Sequence, residues 1–255
     1  MGKRIESPQN ALVKHWKKLV STRKERDRSE EFVLEGFHLV EEALKQKDIV
    51  LHVMVREDVE LPAGMDIPDA KRVDITKPVA AEISETEHPQ GLFAHCRQPL
   101  ASDGQYDAWK RVLLIDAVQD PGNVGTMIRT ADAAGMDAVI LGKGSADPYN
   151  PKTVRSAQGS HFHIPVVRGD LAEWIGRAKE NGLRVIGTGL DQAKDHYDAD
   201  VSDAFALLVG NEGAGVAPEY LGEADTIVKI PLYGDAESLN VAVATGILLY
   251  TYARR

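Results

Sequence analysis

A chain of 255 residues that is 43% hydrophobic is long enough for one large domain or two smaller ones, each with its own core. Its apolar runs, such as Val112 to Ile115 and Gly246 to Tyr250, are far too short to span a bilayer, and Met1-Gly2-Lys3-Arg4 leads into polar sequence, so a soluble, cytoplasmic protein with no membrane partner is expected. A net charge of -9 argues against indiscriminate coating of nucleic acid, and a single cysteine, Cys96, excludes an internal disulfide framework and reads as a small apolar strand residue.

The charge is unevenly spread. Between Met1 and Glu30 nine basic residues (Lys3, Arg4, Lys14, Lys17, Lys18, Arg23, Lys24, Arg26, Arg28) face four acids (Glu6, Glu25, Asp27, Glu30), which is +5 and leaves -14 for the remainder. A basic arm on an acidic body suits a protein of which one part meets phosphates; a solvated helix face is the competing account. Asn10 to Leu19 has helical apolar spacing with lysines opposite, and Trp16 on the apolar stripe reads as core rather than as a base-stacking platform. After a charged turn, Glu31 to Gly36 predicts a strand running into a helix from Phe37 to Lys47. Strands over Val50 to Val55, Val73 to Ile75 and Gly91 to Cys96, a loop over Leu61 to Asp69 and a helix over Pro78 to Ile83 complete a small α/β domain. Its edge falls in Gln98 to Tyr106, giving domains at 1–98 and 109–255 with a linker at 99–108.

Arg111 to Asp116 is a continuous apolar strand of the kind buried on both faces of a parallel sheet. It ends in Gln119-Asp120-Pro121-Gly122-Asn123, with Asn123 as expected N-cap of a helix through Ala134, and Ala138 to Leu141 is the next strand. Lys152 and Arg155 fall on a helix through about Gly159, followed by a strand from His161 to Val166. His161 and His163 would share a face of that strand, but with no third ligand nearby they read as structural, and no metal is expected. Asp170 to Asn181 predicts an amphipathic helix; Arg184 to Thr188, Ala206 to Val209 and Ile227 to Ile230 predict strands. A nearly all-apolar helix from about Glu237, with Ser238 and Asn240 in its opening turn, closes the chain, and taken alone it is a terminal packing helix capped by Ser238.

Three strand-end turns hold the unusual residues: Asp120 to Gly125, Gly210 to Gly215, and Ile230 to Asn240. In an open parallel sheet such turns gather on one side as a ligand crevice. The glycine-rich turn matches neither a dinucleotide fingerprint nor a P-loop, and it lacks the P-loop lysine. What these turns offer is close-approach backbone, the carboxylate of Glu212, the amides of Asn123 and Asn240, and the fixed cation of Arg129.

Asn123-Val124-Gly125 with Arg129, Gly210-Asn211-Glu212-Gly213-Ala214-Gly215, and Ile230-Pro231 followed by Ser238-Leu239-Asn240-Val241-Ala242-Val243-Ala244 resemble, in order, the three motifs of the SpoU (TrmH-type) RNA 2'-O-ribose methyltransferases of the SPOUT superfamily. The resemblance covers about Trp109 to Arg255, and it departs at Ala242, where the family often has Ser or Asn. Phe32 to Gly36 with Gln90-Gly91-Leu92 is similar, more loosely, to the L30e-like substrate-binding domain often fused before it. The resemblance implies a parallel-sheet α/β domain with a deep trefoil knot, a homodimer, and S-adenosylmethionine held by Thr188, Gly210, Ile230, Leu239 and Asn240. It places Arg129 at the catalytic position with Asn123, Glu212, Ser238 and Asn240 around it, and implies 2'-O-methylation of structured RNA, ribosomal RNA first and transfer RNA as the alternative. Lys14, Lys17, Lys18, Arg23, Lys24 and Arg129 are the expected RNA contacts. A noncatalytic RNA-binding or ribosome-assembly factor on the same fold is the competing function, and its expected signature, loss of Arg129 or of the cofactor loops, is not seen.

Overall fold

The computed structural model describes residues 3–46, 48–99 and 103–253. In chain order the elements are β1 (Lys3–Ile5), α1 (Ala11–Ser21), α2 (Arg23–Ser29), β2 (Glu31–Glu35), α3 (Phe37–Leu44), β3 (Val50–Arg56), β4 (Arg72–Ile75), α4 (Lys77–Glu82) and β5 (Leu92–Arg97). There follow β6 (Arg111–Ile115), α5 (Pro121–Ala133), β7 (Ala138–Leu141), α6 (Pro151–Ala157), β8 (Val166–Arg168), α7 (Leu171–Glu180) and β9 (Arg184–Thr188). The last are β10 (Lys194–Asp195), β11 (Phe205–Val209), α8 (Pro218–Leu221), β12 (Thr226–Lys229) and α9 (Val241–Tyr252). Two compact units result: Met1–Pro99 with Tyr149–Phe162, and Leu100–Pro148 with His163–Arg255. None of the described helices is long and apolar enough to cross a membrane.

The first unit is a five-stranded mixed sheet, β1-β4-β3-β5-β2, covered on both faces. Side chains alternate along a strand, so Phe32 and Leu34 enter one core with Leu39, Val40, Tyr149 and Val154, while Val33 between them enters the other with Trp16, Leu19 and Phe93. That explains a strand that reads as unbroken apolar sequence. Helix α1 is capped by the Asn10 side chain, which accepts from the Leu12 amide, and it buries Val13, Trp16, Leu19 and Val20 while Lys14, Lys17 and Lys18 stay exposed. Trp16 is fully buried, so it is core and cannot stack on a base.

The charged turn expected after α1 is instead the helix α2. Its sequence, RKERDRS, has no apolar stripe to signal it. It docks through Arg26, which is 2% exposed and donates through Nη1 to the Leu19 and Val20 carbonyls at 2.5 and 3.0 Å, satisfying acceptors that the end of α1 leaves open.

The second unit is a seven-stranded, wholly parallel sheet of order β10-β12-β9-β11-β6-β7-β8. Leu114, Ile140, Val185 and Leu208 pack on one face beneath Leu171 and Ile175 of α7. Helices α5 and α9 pack on each other, with α9 also meeting β11. The strand expected at His161 to Val166 is a 3-10 turn over Ser160–Phe162, and pairing begins only at Val166. His161 and His163 therefore do not alternate along one strand; His163 Nδ1 lies 3.0 Å from Asp132 Oδ2.

Removing the buried indole should open a cavity that the surrounding sheet and helix cannot fill. Trp16→Ala is expected to lower unfolding free energy by about 3–5 kcal/mol in chemical denaturation.

Candidate active site

Parallel order decides where the site lies. β12, β9, β11 and β6 are consecutive neighbours in the sheet, so the residues that follow each strand emerge at the same edge. Thr188 ends β9, Gly210 follows β11 and Ile230 follows β12, and the pairings Val228 with Thr188 and Leu208 with Gly187 hold these ends level. Thr188 Oγ1 donates to the Leu208 carbonyl at 3.2 Å, pinning its side chain to the neighbouring strand.

The turn after β11 closes on itself. The Asn211 and Gly215 backbones exchange hydrogen bonds of 3.0 and 2.9 Å, and Gly215 takes φ +72°, a conformation glycine adopts without steric cost. A Cβ built on Gly210 would lie 2.1 Å from the Gly215 carbonyl carbon, so only glycine fits there. Asn211 accepts through Oδ1 from the Gly213 and Ala214 amides at 2.9 and 3.1 Å and donates through Nδ2 to the Ala117 carbonyl at 2.9 Å. Asp116 is buried at the end of β6 and accepts from the Ala217 amide at 2.8 Å, tying down the far side of the same turn. Neither Asn211 nor Asp116 was singled out from sequence. The usable signal was an acid ending a buried apolar strand, which must find donors.

Glu212, at the tip of that turn, accepts from Asn123 Nδ2 at 2.9 Å, and Asn123 Oδ1 accepts from Asn240 Nδ2 at 2.9 Å. Asn240 Oδ1 accepts from the Ala242 and Val243 amides at 2.9 and 3.3 Å, capping α9. Glu212, Asn123 and Asn240, drawn from all three sequence motifs, thus form one chain of hydrogen bonds.

Two expectations about caps are corrected. Asp120 rather than Asn123 caps α5, its side chain accepting from the Asn123 amide at 2.9 Å, which leaves the Asn123 side chain free to reach Glu212 and Asn240. Likewise α9 begins at Val241, not near Glu237, so Asn240 is the cap and Ser238 lies outside the helix in an exposed loop. Ser238 makes no side-chain hydrogen bond among the described residues, and Leu239 is exposed beside it. Arg129 lies six positions beyond Asn123 on α5, exposed and with no hydrogen bond or ion pair among the described residues, and Glu212 orients the Asn123 amide. Of the other expected RNA contacts, Lys17 is bonded to Glu82 at 2.5 Å and Arg23 to Asp27 at 3.4 Å, while Lys14, Lys18 and Lys24 are exposed.

A parallel α/β sheet whose strand-end loops converge on an amide and carboxylate chain, beside a helix that carries an exposed arginine, is the scaffold of an α/β ligand-binding protein. The chain belongs to the SpoU rRNA Methylase family, whose description it matches over residues 110–250, and residues 10–94 match the MRM3-like substrate binding domain. It is 50% identical over 248 residues to the 23S rRNA (guanosine(2553)-2'-O)-methyltransferase RlmP of Bacillus subtilis, covering 97% of this chain and 98% of that protein. It is 30% identical to the 23S rRNA (uridine(2479)-2'-O)-methyltransferase of Streptomyces viridochromogenes, covering 100% of this chain and 93% of that one. Among solved structures, the AdoMet-bound rRNA methyltransferase from Sinorhizobium meliloti superposes with a TM-score of 0.86 at 32% identity, covering 99% of this chain and 97% of that chain.

The two functions of Asn240 separate by substitution. Asn240→Ala should lower unfolding free energy by about 1 kcal/mol through loss of the cap, whereas Asn240→Asp keeps the capping acceptor and should stay near wild type in the same denaturation experiment.

Proposed function

We propose that this chain transfers a methyl group from S-adenosylmethionine to a ribose 2'-hydroxyl of large-subunit ribosomal RNA. The observation that carries the reading is the hydrogen-bonded chain Glu212–Asn123–Asn240 at the edge where Thr188 ends β9 and Gly210 and Ile230 follow β11 and β12. The strand-end backbone, together with exposed Leu232, Tyr233 and Leu239, fits a ligand with an apolar flat ring and polar edges. Thr188, Gly210, Ile230, Leu239 and Asn240 would hold that cofactor, which when bound supplies an electrophilic methyl on a sulfonium.

The residues must align the ribose hydroxyl and favour its loss of a proton. Arg129 supplies charge. A guanidinium stays protonated in proteins, so its work is to stabilise developing negative charge on oxygen and to grip the adjacent phosphate rather than to take the proton. Asn123 and Asn240, fixed by Glu212 and the α9 cap, set the floor of the site, and Ser238 borders its reacting end. Residues 1–98 would select the RNA through Lys14, Lys17, Lys18, Arg23 and Lys24, followed by a linker at 99–108 and a catalytic region over 109–255, of which Tyr149–Phe162 folds into the first unit. The trefoil knot belongs to the same reading.

A homodimer completes it. One face of α9 buries Ala242, Thr245, Leu249 and Tyr252, yet Val243 and Tyr250, with Ile247 between them at helical spacing, form an outward apolar stripe. A second copy covering it would bury the stripe beside the site. Val243→Glu should convert a dimer to a monomer in sedimentation equilibrium; a monomeric wild type would sink this part of the reading.

Incubation with labelled S-adenosylmethionine and undermodified ribosomal RNA, followed by mapping of the 2'-O-methyl group, tests the activity. The guanosine named for the Bacillus relative is the first position to examine. Absence of label on any ribosomal or transfer RNA would favour a noncatalytic RNA-binding factor. If charge is what Arg129 supplies, Arg129→Lys should retain partial methyl transfer and Arg129→Ala should lose about 100-fold or more; equal losses would count against that role.

A further inference from the structure

His15 of α1, Glu31 at the start of β2 and His95 of β5 converge within the first compact unit. His15 Nε2 and His95 Nε2 lie 2.7 and 2.9 Å from the same oxygen, Glu31 Oε2, and the three ligand atoms all lie within 4.8 Å of one another. β2 and β5 are paired with Val33 opposite His95, which sets Glu31 two residues from the imidazole along the neighbouring strand. We propose that His15, Glu31 and His95 form a binding site for a divalent transition metal of zinc type, clasping helix α1 to the sheet of the first unit.

The donor set is two imidazoles and one carboxylate, the ligand types zinc takes in three-ligand sites, with the fourth position left to water. His15 and Glu31 are partly exposed, with side-chain accessibilities of 27% and 22%, so water reaches that position. Tetrahedral bonds of about 2.1 Å put neighbouring ligand atoms about 3.4 Å apart, so the contacts of His15 and His95 to Glu31 must open by about 0.7 and about 0.5 Å, within reach of small side-chain rotations.

The surroundings are what such ligands require. A metal-bound imidazole hands its other N–H to an acceptor, usually a carboxylate. His15 Nδ1 lies 3.3 Å from Glu25 Oε1, and His95 Nδ1 lies 3.2 Å from His52 Nδ1, whose ring stacks on His95 at 5.5 Å between centroids. Both second nitrogens thus have partners while both Nε2 atoms face Glu31. His95 is nearly fully buried, so its ring is held in place by the packing around it with Nε2 turned to Glu31.

The metal-free alternative is a carboxylate accepting from two imidazoles, and titration decides between them. Tag-free full-length protein, stripped with chelator, is titrated with zinc chloride by calorimetry and with cobalt(II) by visible absorption. The proposal expects one saturable equivalent per chain, its loss in His15→Gln and His95→Gln, a drop of about 10-fold in Glu25→Gln, and no change in His38→Gln. Should His95→Gln fail to fold by circular dichroism, the variant at the partly exposed position, His15→Gln, decides. A wild type that takes up neither ion, or His15→Gln that binds as wild type does, overturns the site.

Discussion

The hydrogen bond from Asn240 Nδ2 to Asn123 Oδ1, at 2.9 Å, is the contact on which the functional end of the second unit depends. Its direction is forced. Asn240 Oδ1 is engaged by two amides at the start of α9, so only its NH2 can face Asn123; the Asn123 carbonyl must then accept, and its own NH2 must turn to the Glu212 carboxylate. A side chain without both donor and acceptor cannot occupy the middle position. The capping of one helix thereby sets the orientation of a carboxylate on a loop 28 residues earlier in the chain.

Behind that chain the scaffold is backbone held by backbone. The turn at Gly210 to Gly215 is shaped by its own amides, by Asn211 and by a buried Asp116 from the neighbouring strand, so little of its geometry rests on exposed side chains. Such a turn can approach a ligand closely and present amides to it. Arg129 and Ser238 are by contrast exposed, with no side-chain hydrogen bond or ion pair among the described residues.

Much of this was legible in the chain. Doubly covered strands announce themselves as unbroken apolar runs, and the three strand-end turns stood out because glycines, amides and a carboxylate cluster where a buried sheet ends. Helix ends were harder. Asp120 followed by Pro121 is a cap followed by the residue favoured at a first helical position, a better start signal than Asn123, whereas Asn240 displaces Ser238 by accepting from two amides of α9. Helix α2 had no apolar periodicity at all; it is held by a buried guanidinium bonded to carbonyls, which no hydrophobic pattern encodes. The strand expected at His161 failed because alternation over so few residues does not distinguish a strand from a tight turn.

The basic arm also means something different in three dimensions. Its +5 count treats every cation as available to phosphate. Arg26 is buried in bonding helix carbonyls, Lys17 is bound to Glu82, Arg23 to Asp27, Arg28 to Glu25, and Arg4 to Glu6 and Glu57. Exposed pairs of this kind are worth little and can be exchanged for phosphate, yet each exchange returns less than a free cation would. Lys14 and Lys24 make no ion pair among the described residues, so the positive field of the arm is narrower than the composition implies.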